Sequence, residues 1–325
     1  MVLVLTMIMT ACGQNKNTAG QKSNNNGSTQ EAAAAAAPAE SAATTEEIVV
    51  KHQLGEAHIQ KNPQKVVVFD YGALDTLDKL GVEVAGVPRD NVPPYLKKYE
   101  DSKYENVGSL KEADFEKVNA LNPDLIIISG RLQDSYDELN KIAPTIYMQL
   151  DTANYMASFK ENVETLGRIF GKEQEAEQEL AALDSKIKAL HDQVTASGKN
   201  ALIVLANEGK ISAFGAGSRF GIIHDVFGFK PADADIEAST HGQSVSFEYV
   251  MEKNPDYLFV VDRSAVVAGE GEAAPAKQVI ENDLVKNTNA YKEGHIVYLD
   301  PNYWYLSGGG LESLAEMLQE VESSL

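Results

Sequence analysis

Short apolar runs alternate with stretches of helical periodicity along most of the chain, which predicts an α/β fold. Residues 65–70 are Lys-Val-Val-Val-Phe-Asp, and their apolar centre is typical of a buried parallel strand. An amphipathic segment follows at residues 72–80 and stops at Gly81, as expected of a helix. Ahead of both, residues 48–51 and 57–60 flank a turn and predict a hairpin. The alternation of strand and helix favours a parallel sheet covered by helices.

One pattern of fifteen residues occurs twice, at 114–128 and at 246–260. Each copy opens with a good helix N-cap, Asp114 or Ser246, followed by Phe-Glu and a short apolar helix. Each helix ends at Asn-Pro-Asp, because proline disfavours helical geometry in the residue before it, and an apolar strand follows. Two such copies far apart in the chain predict two lobes of similar design.

The most helical part of the chain lies between the two copies. Residues 155–170 have helical periodicity, and residues 172–198 form one long segment rich in Glu, Ala, Leu, Lys and Gln. A helix of that length spans about 39 Å. We interpret it as a rigid strut, with a plain amphipathic surface helix as the alternative. The predicted organisation is an N-terminal lobe at 47–171, a linking helix at 172–198 and a C-terminal lobe at 199–325, and a chain of 325 residues suits two lobes.

Composition excludes several classes of function. The chain has 28 Lys and Arg against 48 Asp and Glu, which gives a formal net charge of −20. Nucleic-acid binding depends on a basic surface that neutralises phosphates, so this charge argues against a nucleic-acid partner. A single cysteine excludes a disulfide framework and a four-cysteine zinc site. No apolar stretch reaches the roughly 18 residues that a membrane span needs.

The N-terminus carries an uncharged apolar run at residues 1–12, typical of a secretory signal, which ends in Met-Thr-Ala-Cys12. This ending resembles a bacterial lipobox, which implies that Cys12 is lipidated, although methionine replaces the usual leucine and no Lys or Arg precedes the run. Residues 13–46 are rich in Asn, Gln, Ser and Ala and predict a flexible tether. We therefore expect a protein that is lipid-anchored to the cell membrane and faces outside the cytoplasm. An ordinary apolar terminus with an unmodified thiol is the alternative.

Four motifs in the two halves of the chain point to one family of proteins. They are VVVFDYGALD at 66–75, SGR at 129–131, HGQSVSFE at 241–248 and DPNYWYLSGGG at 300–310. Together they resemble the ferric-catecholate siderophore receptors of bacterial ABC importers, of the petrobactin and enterobactin-fragment type. The resemblance implies the class III periplasmic-binding-protein fold, in which two Rossmann-like α/β lobes are joined by a single long rigid helix. It also implies a monomeric binding protein, not an enzyme, that passes a ferric siderophore to an ABC permease and has no cofactor of its own.

Only five arginines occur in the chain, so their positions are informative. Arg131 and Arg263 each lie eight residues after the proline of one repeat copy, just beyond the predicted strands. Ligands of open α/β sheets bind at the carboxyl ends of strands, so we expect these two side chains to face each other across a cleft. Arg219, in a glycine-rich loop before a predicted helix, can join them, and Arg89 is a fourth candidate. Arg168 lies within a predicted helix and is expected on the surface; for each of the other four, an ordinary ion pair within the protein is the alternative.

These arginines match the ligand that the resemblance implies. A ferric tris-catecholate carries about three negative charges, and local cations must attract it against the field of an acidic protein. Arginine stays charged, forks onto paired oxygens and stacks on aromatic rings.

The resemblance implies two further residues that complete the iron shell. His241 and Tyr305 would bind iron directly when the siderophore supplies only four oxygens, since ferric iron accepts phenolate and imidazole ligands. Tyr303 is the second candidate for the tyrosine, because Trp304 between the two would point the other way in an extended segment. A loop histidine that caps the following helix is the alternative for His241.

Glu116 and Glu248 occupy the same place in the two repeat copies, at the first turn of each predicted helix. The helix dipole stabilises a carboxylate there, and this can be their whole role. In the family that the motifs resemble, one surface glutamate of each lobe docks onto arginines of the permease. We expect these two glutamates to do so.

Two alternatives remain. A Rossmann-like enzyme fits the sheet pattern, but the sequence contains no Gly-x-Gly-x-x-Gly fingerprint after a strand, no Gly-x-Ser-x-Gly elbow and no phosphate loop. The same fold could instead bind a hydroxamate siderophore, haem or cobalamin, although neutral complexes would not require three arginines. The histidines are too scattered for a bare zinc or manganese site, which needs about three clustered histidines with a carboxylate.

Overall fold

The computed structural model describes residues 46–267 and 275–325. The predictions for the signal, for lipidation of Cys12 and for nearly all of the tether lie outside these residues. Neither described range contains a helix that combines the length and the apolar character of a membrane span.

Strands and helices alternate through both described ranges. The strands are β1 (Glu47–His52), β2 (Gly55–Gln60), β3 (Val66–Val68), β4 (Gly86–Val87), β5 (Glu105–Asn106), β6 (Leu125–Ile128), β7 (Thr145–Tyr147), β8 (Asn200–Asn207), β9 (Lys210–Phe214), β10 (Lys230–Pro231), β11 (Gln243–Val245), β12 (Tyr257–Asp262) and β13 (Ile296–Leu299). The α-helices are α1 (Tyr71–Lys79), α2 (Phe115–Leu121), α3 (Tyr136–Leu139), α4 (Tyr155–Phe170), α5 (Glu173–Ser197), α6 (Ile222–Asp225), α7 (Phe247–Lys253), α8 (Ser264–Val267), α9 (Ala276–Ile280), α10 (Asn289–Glu293) and α11 (Leu311–Glu322).

The first lobe is built on five parallel strands in the order β5-β4-β3-β6-β7. β3 and β6 are continuous apolar runs whose residues are all buried, as expected of central parallel strands. α1 begins beyond the carboxyl end of β3, where Asp70 accepts a hydrogen bond from the N–H of Ala73 (2.9 Å) and caps the helix. The hairpin of β1 and β2 is antiparallel. The predicted hairpin, strand and helix are confirmed.

The second lobe has a mixed sheet in the order β11-β9-β8-β12-β13, with β10 beside β8. β8, β12 and β13 are parallel, but β9 is antiparallel to β8 and to β11. The expected parallel pattern fails there because only Glu208 and Gly209 separate β8 from β9. Both residues have a positive φ (50° and 80°), as in a two-residue hairpin turn, and so short a turn joins only antiparallel strands.

The repeated pattern forms the same structure in both lobes. α2 and α7 each span seven residues, and the side chains of Asp114 and Ser246 cap them by accepting a hydrogen bond from the N–H three residues on (3.1 and 3.3 Å). Asn122 and Asn254 end the two helices in the left-handed conformation, at φ of 48° and 43°. β6 then pairs with β3, and β12 pairs with β8. The carboxyl ends of β6 and β12 therefore occupy matching places in the two lobes.

The long helix predicted between the lobes is confirmed as α5, which is 25 residues long. It packs against α4 and α11, and its buried Leu180 and Leu190 share one apolar core with Phe259 of β12 and Leu314 of α11. α11 also packs against α1 of the first lobe. The last helix of the chain, expected to belong to the second lobe, thus contacts both.

Candidate ligand-binding site

Three arginine side chains converge on Tyr305 between the two lobes. Arg131 lies just beyond β6 and Arg263 just beyond β12, as expected from the repeat, and Arg219 lies between β9 and α6. The distance from the guanidinium carbon to the centre of the Tyr305 ring is 6.0 Å for Arg131, 4.1 Å for Arg219 and 5.7 Å for Arg263. The structure therefore brings four of the predicted site residues together.

Hydrogen bonds join this cluster across the lobes. Nη2 of Arg131 and Nη2 of Arg219 both donate to the carbonyl oxygen of Tyr305 (2.9 and 2.7 Å). Arg263 donates from Nε to the hydroxyl oxygen of Tyr305 (2.8 Å) and from Nη1 to Oδ1 of Asn207 (2.6 Å). Because Arg131 belongs to the first lobe and Arg219 to the second, one carbonyl group links the two.

Neutral groups, not carboxylates, are the partners of these arginines. Among residues 46–267 and 275–325, no carboxylate oxygen lies within 4.0 Å of a guanidinium nitrogen of the three. Burial and the charge of Arg131 lower the pKa of Arg219 to about 10, so Arg219 is still protonated at neutral pH. Three positive charges without an adjacent acid thus meet in a chain whose net charge is −20.

The arginines also change the acidity of Tyr305. Burial raises the pKa of the Tyr305 hydroxyl, but the hydrogen bond from Arg263 and the charges of Arg219 and Arg131 outweigh this and lower the pKa below its ordinary value. The phenolate form is favoured because it is the charged form that these groups stabilise. The Tyr305 hydroxyl at the centre of the cluster therefore loses its proton more readily than an ordinary tyrosine hydroxyl.

The segment that carries Tyr305 is a π-helical turn, Asn302–Leu306, not the extended loop expected from the sequence. The N–H of Ser307 donates to the carbonyl oxygen of Asn302 (3.1 Å), which closes the turn. Trp304 is buried, and its Nε1 donates to Oε2 of Glu320 in α11 (2.7 Å). Alternation along an extended strand is thus the wrong reason for preferring Tyr305 over Tyr303.

Tyr303 lies outside the arginine cluster. Its ring packs against the ring of Tyr95, with the centres 4.9 Å apart and the planes at 39°. Among the described residues, Tyr305 is the tyrosine of this turn that the arginines contact.

His241 is exposed and precedes β11. Its backbone N–H donates a hydrogen bond to Oγ of Ser239 (3.1 Å), and Ser246, not His241, caps α7. The helix-capping alternative for His241 is therefore wrong. Direct iron binding by His241 stays a prediction, and within the described ranges no group of three His, Cys, Asp or Glu could hold a metal ion by itself.

The structure does not bring Arg89 into the cluster. Nη2 of Arg89 donates to the carbonyl oxygens of Asp101 (2.7 Å) and Tyr104, so the side chain is held within its own lobe. Arg168 lies in α4, where its Nη2 donates to Oγ1 of Thr165 (3.3 Å), consistent with the surface position expected for it.

Sequence analysis missed two residues that support the cluster. Asn207 ends β8 and accepts from Arg263, and its position at the carboxyl end of a central strand was a usable signal. Tyr95 packs on Tyr303 and lies beside Ser307, which is 212 residues away in the chain. No local pattern could have indicated that contact.

Glu116 and Glu248 lie in the first turns of α2 and α7, as predicted, and both are exposed. Neither forms an ion pair with another described residue. Hydrogen bonds from its own N–H and from Ser246 lower the pKa of Glu248, which keeps it ionised at neutral pH. The two carboxylates are free to meet a partner, one on each lobe.

Comparison with known proteins places the chain among binding proteins. A family model described as periplasmic binding protein matches residues 66–303. The petrobactin-binding protein YclQ of Bacillus subtilis (strain 168) is 52% identical over 327 residues, which cover 99% of this chain and 96% of YclQ. The ferric-anguibactin-binding protein FatB of Vibrio anguillarum is 35% identical and covers 84% of this chain and 86% of FatB.

Solved structures of similar proteins show the same fold. The crystal structure of YclQ aligns with a TM-score of 0.83 at 57% identity and covers 86% of this chain and 98% of that one. The periplasmic catecholate-siderophore binding protein VctP of Vibrio cholerae aligns with a TM-score of 0.82 at 40% identity, over 86% of this chain and 100% of VctP.

Proposed function

Because the chain belongs to the periplasmic binding protein family, we propose that it captures a ferric catecholate siderophore between its lobes and delivers it to an ABC permease for iron uptake. The family consists of binding proteins, which favours this function over the Rossmann-like enzyme. The observation that carries the proposal is the convergence of Arg131, Arg219 and Arg263, from both lobes, without a carboxylate partner. Similar proteins whose names state that they bind petrobactin or a catecholate siderophore support it.

The charge of the cluster is similar in size and opposite in sign to that of a ferric tris-catecholate. Such a complex carries about three negative charges, and three guanidinium groups would neutralise it locally. An anionic ligand oxygen adds the attraction of opposite charges to the hydrogen bond that a neutral carbonyl can accept from a guanidinium group, so the ligand oxygens would compete well with the carbonyl of Tyr305. Neutral hydroxamate or cobalamin complexes gain little from this arrangement.

Two protein ligands complete the iron shell for siderophores that supply four oxygens. The lowered pKa of the Tyr305 hydroxyl makes its conversion to a phenolate easier, and ferric iron prefers such a hard anionic oxygen. His241 would supply the second ligand from its exposed position ahead of β11.

Delivery requires a position at the membrane and contact with a permease. Lipidation of Cys12 would hold the folded part outside the cytoplasm at the membrane surface, with residues 13–46 as its tether. Glu116 and Glu248 would dock onto cationic residues of the permease. The receptor acts as a monomer in this scheme, one copy for each ligand.

Binding titrations with arginine variants test the proposal. Arg131→Ala, Arg219→Ala and Arg263→Ala should each weaken binding of a ferric catecholate, measured by quenching of intrinsic fluorescence, by about 1 to 3 kcal/mol. Arg168→Ala is the matched control, because it removes an arginine outside the cluster, and it should bind as the unaltered protein does. A ferric hydroxamate serves as the second ligand. Unchanged affinity in all three cluster variants, or equal affinity for the hydroxamate, would overturn the proposal.

A further inference from the structure

A buried carboxylate of the first lobe caps the last helix of the chain. Asp75 lies in α1 and is 1% exposed. Its Oδ1 accepts a hydrogen bond from the N–H of Glu312, and its Oδ2 accepts one from the N–H of Ser313, both at 2.7 Å. These N–H groups belong to the first turn of α11, where the helix dipole favours a negative charge. Gly310 permits this approach, since a Cβ there would lie 2.3 Å from Cγ of Asp75.

Tyr95 connects this carboxylate to the turn that carries Tyr305. The hydroxyl oxygen of Tyr95 lies 3.0 Å from Oδ2 of Asp75 and 2.6 Å from Oγ of Ser307. Ser307 is 1% exposed, and its Oγ donates to the carbonyl oxygen of Asn302 (2.7 Å). A continuous chain of polar contacts therefore runs from α1 to the first residue of the π-helical turn.

The same tyrosine also supports the turn through its ring. The rings of Tyr95 and Tyr303 pack together, as described above, and Tyr303 is two residues from Tyr305. Tyr95 contacts neither the arginines nor Tyr305 among its described hydrogen bonds and ring contacts. Any influence on the cluster must therefore act through the turn.

We propose that Asp75 and Tyr95 are positioning residues that hold the turn Asn302–Leu306 in place and so set the position of Tyr305 among the three arginines. The chain of contacts fixes the turn at Asn302 and at Ser307, one on each side of Tyr305. Asp75 and Tyr95 belong to the first lobe, whereas the turn follows β13 of the second lobe. This inference rests on the proposed function only for the role of Tyr305 in ligand binding.

The lowered pKa of Tyr305 provides a test that needs no siderophore. Tyrosine labelled with ¹³C at Cζ is incorporated into the folded chain, and the resonance of Tyr305 is assigned with Tyr305→Phe. In Tyr95→Phe the turn loses its link to Asp75, so the Tyr305 hydroxyl should move away from Arg263 and its pKa should rise by about half a unit or more. Tyr305 titrating as in the unaltered protein would overturn the inference.

Tyr99→Phe is the matched control. Tyr99 and Tyr95 both lie in the 3₁₀ helix Pro94–Glu100. The hydroxyl of Tyr99 also donates to an aspartate of α1, Asp78 (3.2 Å), but no described contact links Tyr99 to the turn. Its removal should leave the titration of Tyr305 unchanged. A shift equal to that of Tyr95→Phe would show a general effect of the segment and contradict a specific role. Ser307→Ala, which breaks the same chain at its other end, should reproduce the shift if Tyr95→Phe fails to fold.

Binding measurements distinguish a failure of this inference from a failure of the proposed function. Tyr95→Phe should weaken a tetradentate ferric catecholate by about threefold to tenfold, the size of one hydrogen bond, and should affect a hexadentate complex less. If the unaltered protein binds no ferric catecholate, the proposed function fails while the titration still decides the positioning role. If the protein binds but Tyr95→Phe leaves both the titration and the tetradentate affinity unchanged, the positioning role fails alone.

Discussion

At the scale of single residues, Tyr305 contacts the three arginines through two different groups. Its carbonyl oxygen holds Arg131 and Arg219, and its hydroxyl oxygen receives the hydrogen bond from Arg263. A change of the side chain leaves the carbonyl in place. Tyr305→Phe therefore removes the phenol without removing the bridge between the arginines.

The two protein ligands proposed for iron predict a difference between siderophores. Tyr305→Phe and His241→Ala should each weaken tetradentate ferric catecholates by at least about tenfold, or about 1.4 kcal/mol, and nearly spare hexadentate ones. Only a tetradentate complex leaves iron positions open for the protein. Fluorescence titration and the visible charge-transfer band of the iron report both effects. Equal losses for the two kinds of siderophore would rule out direct ligation.

Sequence alone could place Arg131 and Arg263, because each depends on a nearby strand end and on the repeat. It could not show that Arg89, which follows β4 in much the same way, lies outside the arginine cluster. The difference is that two backbone carbonyls, of Asp101 and Tyr104, bind the Arg89 side chain, and the path of that loop is not visible in a local pattern. Strand ends predict where a side chain starts but not which acceptor it reaches.

At the scale of elements, long apolar runs and helical periodicity predicted most of the fold, and the π-helical turn was the main failure. β3, α1 and α5 have strong local signals: β3 lies within its predicted range, and the bounds of α1 and α5 agree closely with the prediction. The turn depends on Glu320 in α11 and on Tyr95 in the other lobe, which lie far from it in sequence. Its conformation is therefore a tertiary property.

The contact between the turn and the end of α11 predicts a pH dependence of stability. Burial raises the pKa of Glu320 to about 7, although the carboxyl accepts hydrogen bonds from Trp304 and Asp300. Between about pH 4.5 and 7 the folded protein keeps a proton that the unfolded chain has lost, so this group makes stability fall as pH rises. Glu320→Gln removes the titration and keeps an acceptor for Trp304.

We expect the free energy of unfolding of Glu320→Gln, relative to the unaltered protein, to rise by about 1 to 3 kcal/mol from pH 4.5 to 7.5. Urea unfolding at several pH values measures it. Glu322→Gln, at an exposed glutamate of the same helix, should show no such trend. A parallel pH dependence of Glu320→Gln and the unaltered protein would refute the assignment.

At the scale of the whole molecule, an acidic surface surrounds a cationic centre. The net charge of −20 repels an anionic ligand at a distance, whereas the three arginines attract it between the lobes. The same division of charge leaves exposed carboxylates on both lobes for a cationic partner. In the function proposed above, binding and delivery therefore use different parts of the surface.

This separation predicts that delivery can be lost without loss of affinity. Glu116→Ala combined with Glu248→Ala should leave the ferric catecholate affinity unchanged and abolish iron uptake by cells that depend on this receptor. Glu112→Ala combined with Glu252→Ala is the control pair, since both are exposed glutamates near the same helices. Normal uptake by the first pair, or an equal loss in both pairs, would disprove the docking role.

The neutral partners of the three arginines have a consequence for repeated use of the receptor. A carbonyl, a phenol and an amide accept hydrogen bonds from the guanidinium groups. An anionic ligand that binds there therefore replaces neutral acceptors and does not have to displace a negatively charged group. When the cargo leaves, the side chains can return to the same dipoles without recruiting an ion from solution. Each cycle of loading and unloading can then be reset by side-chain motion alone.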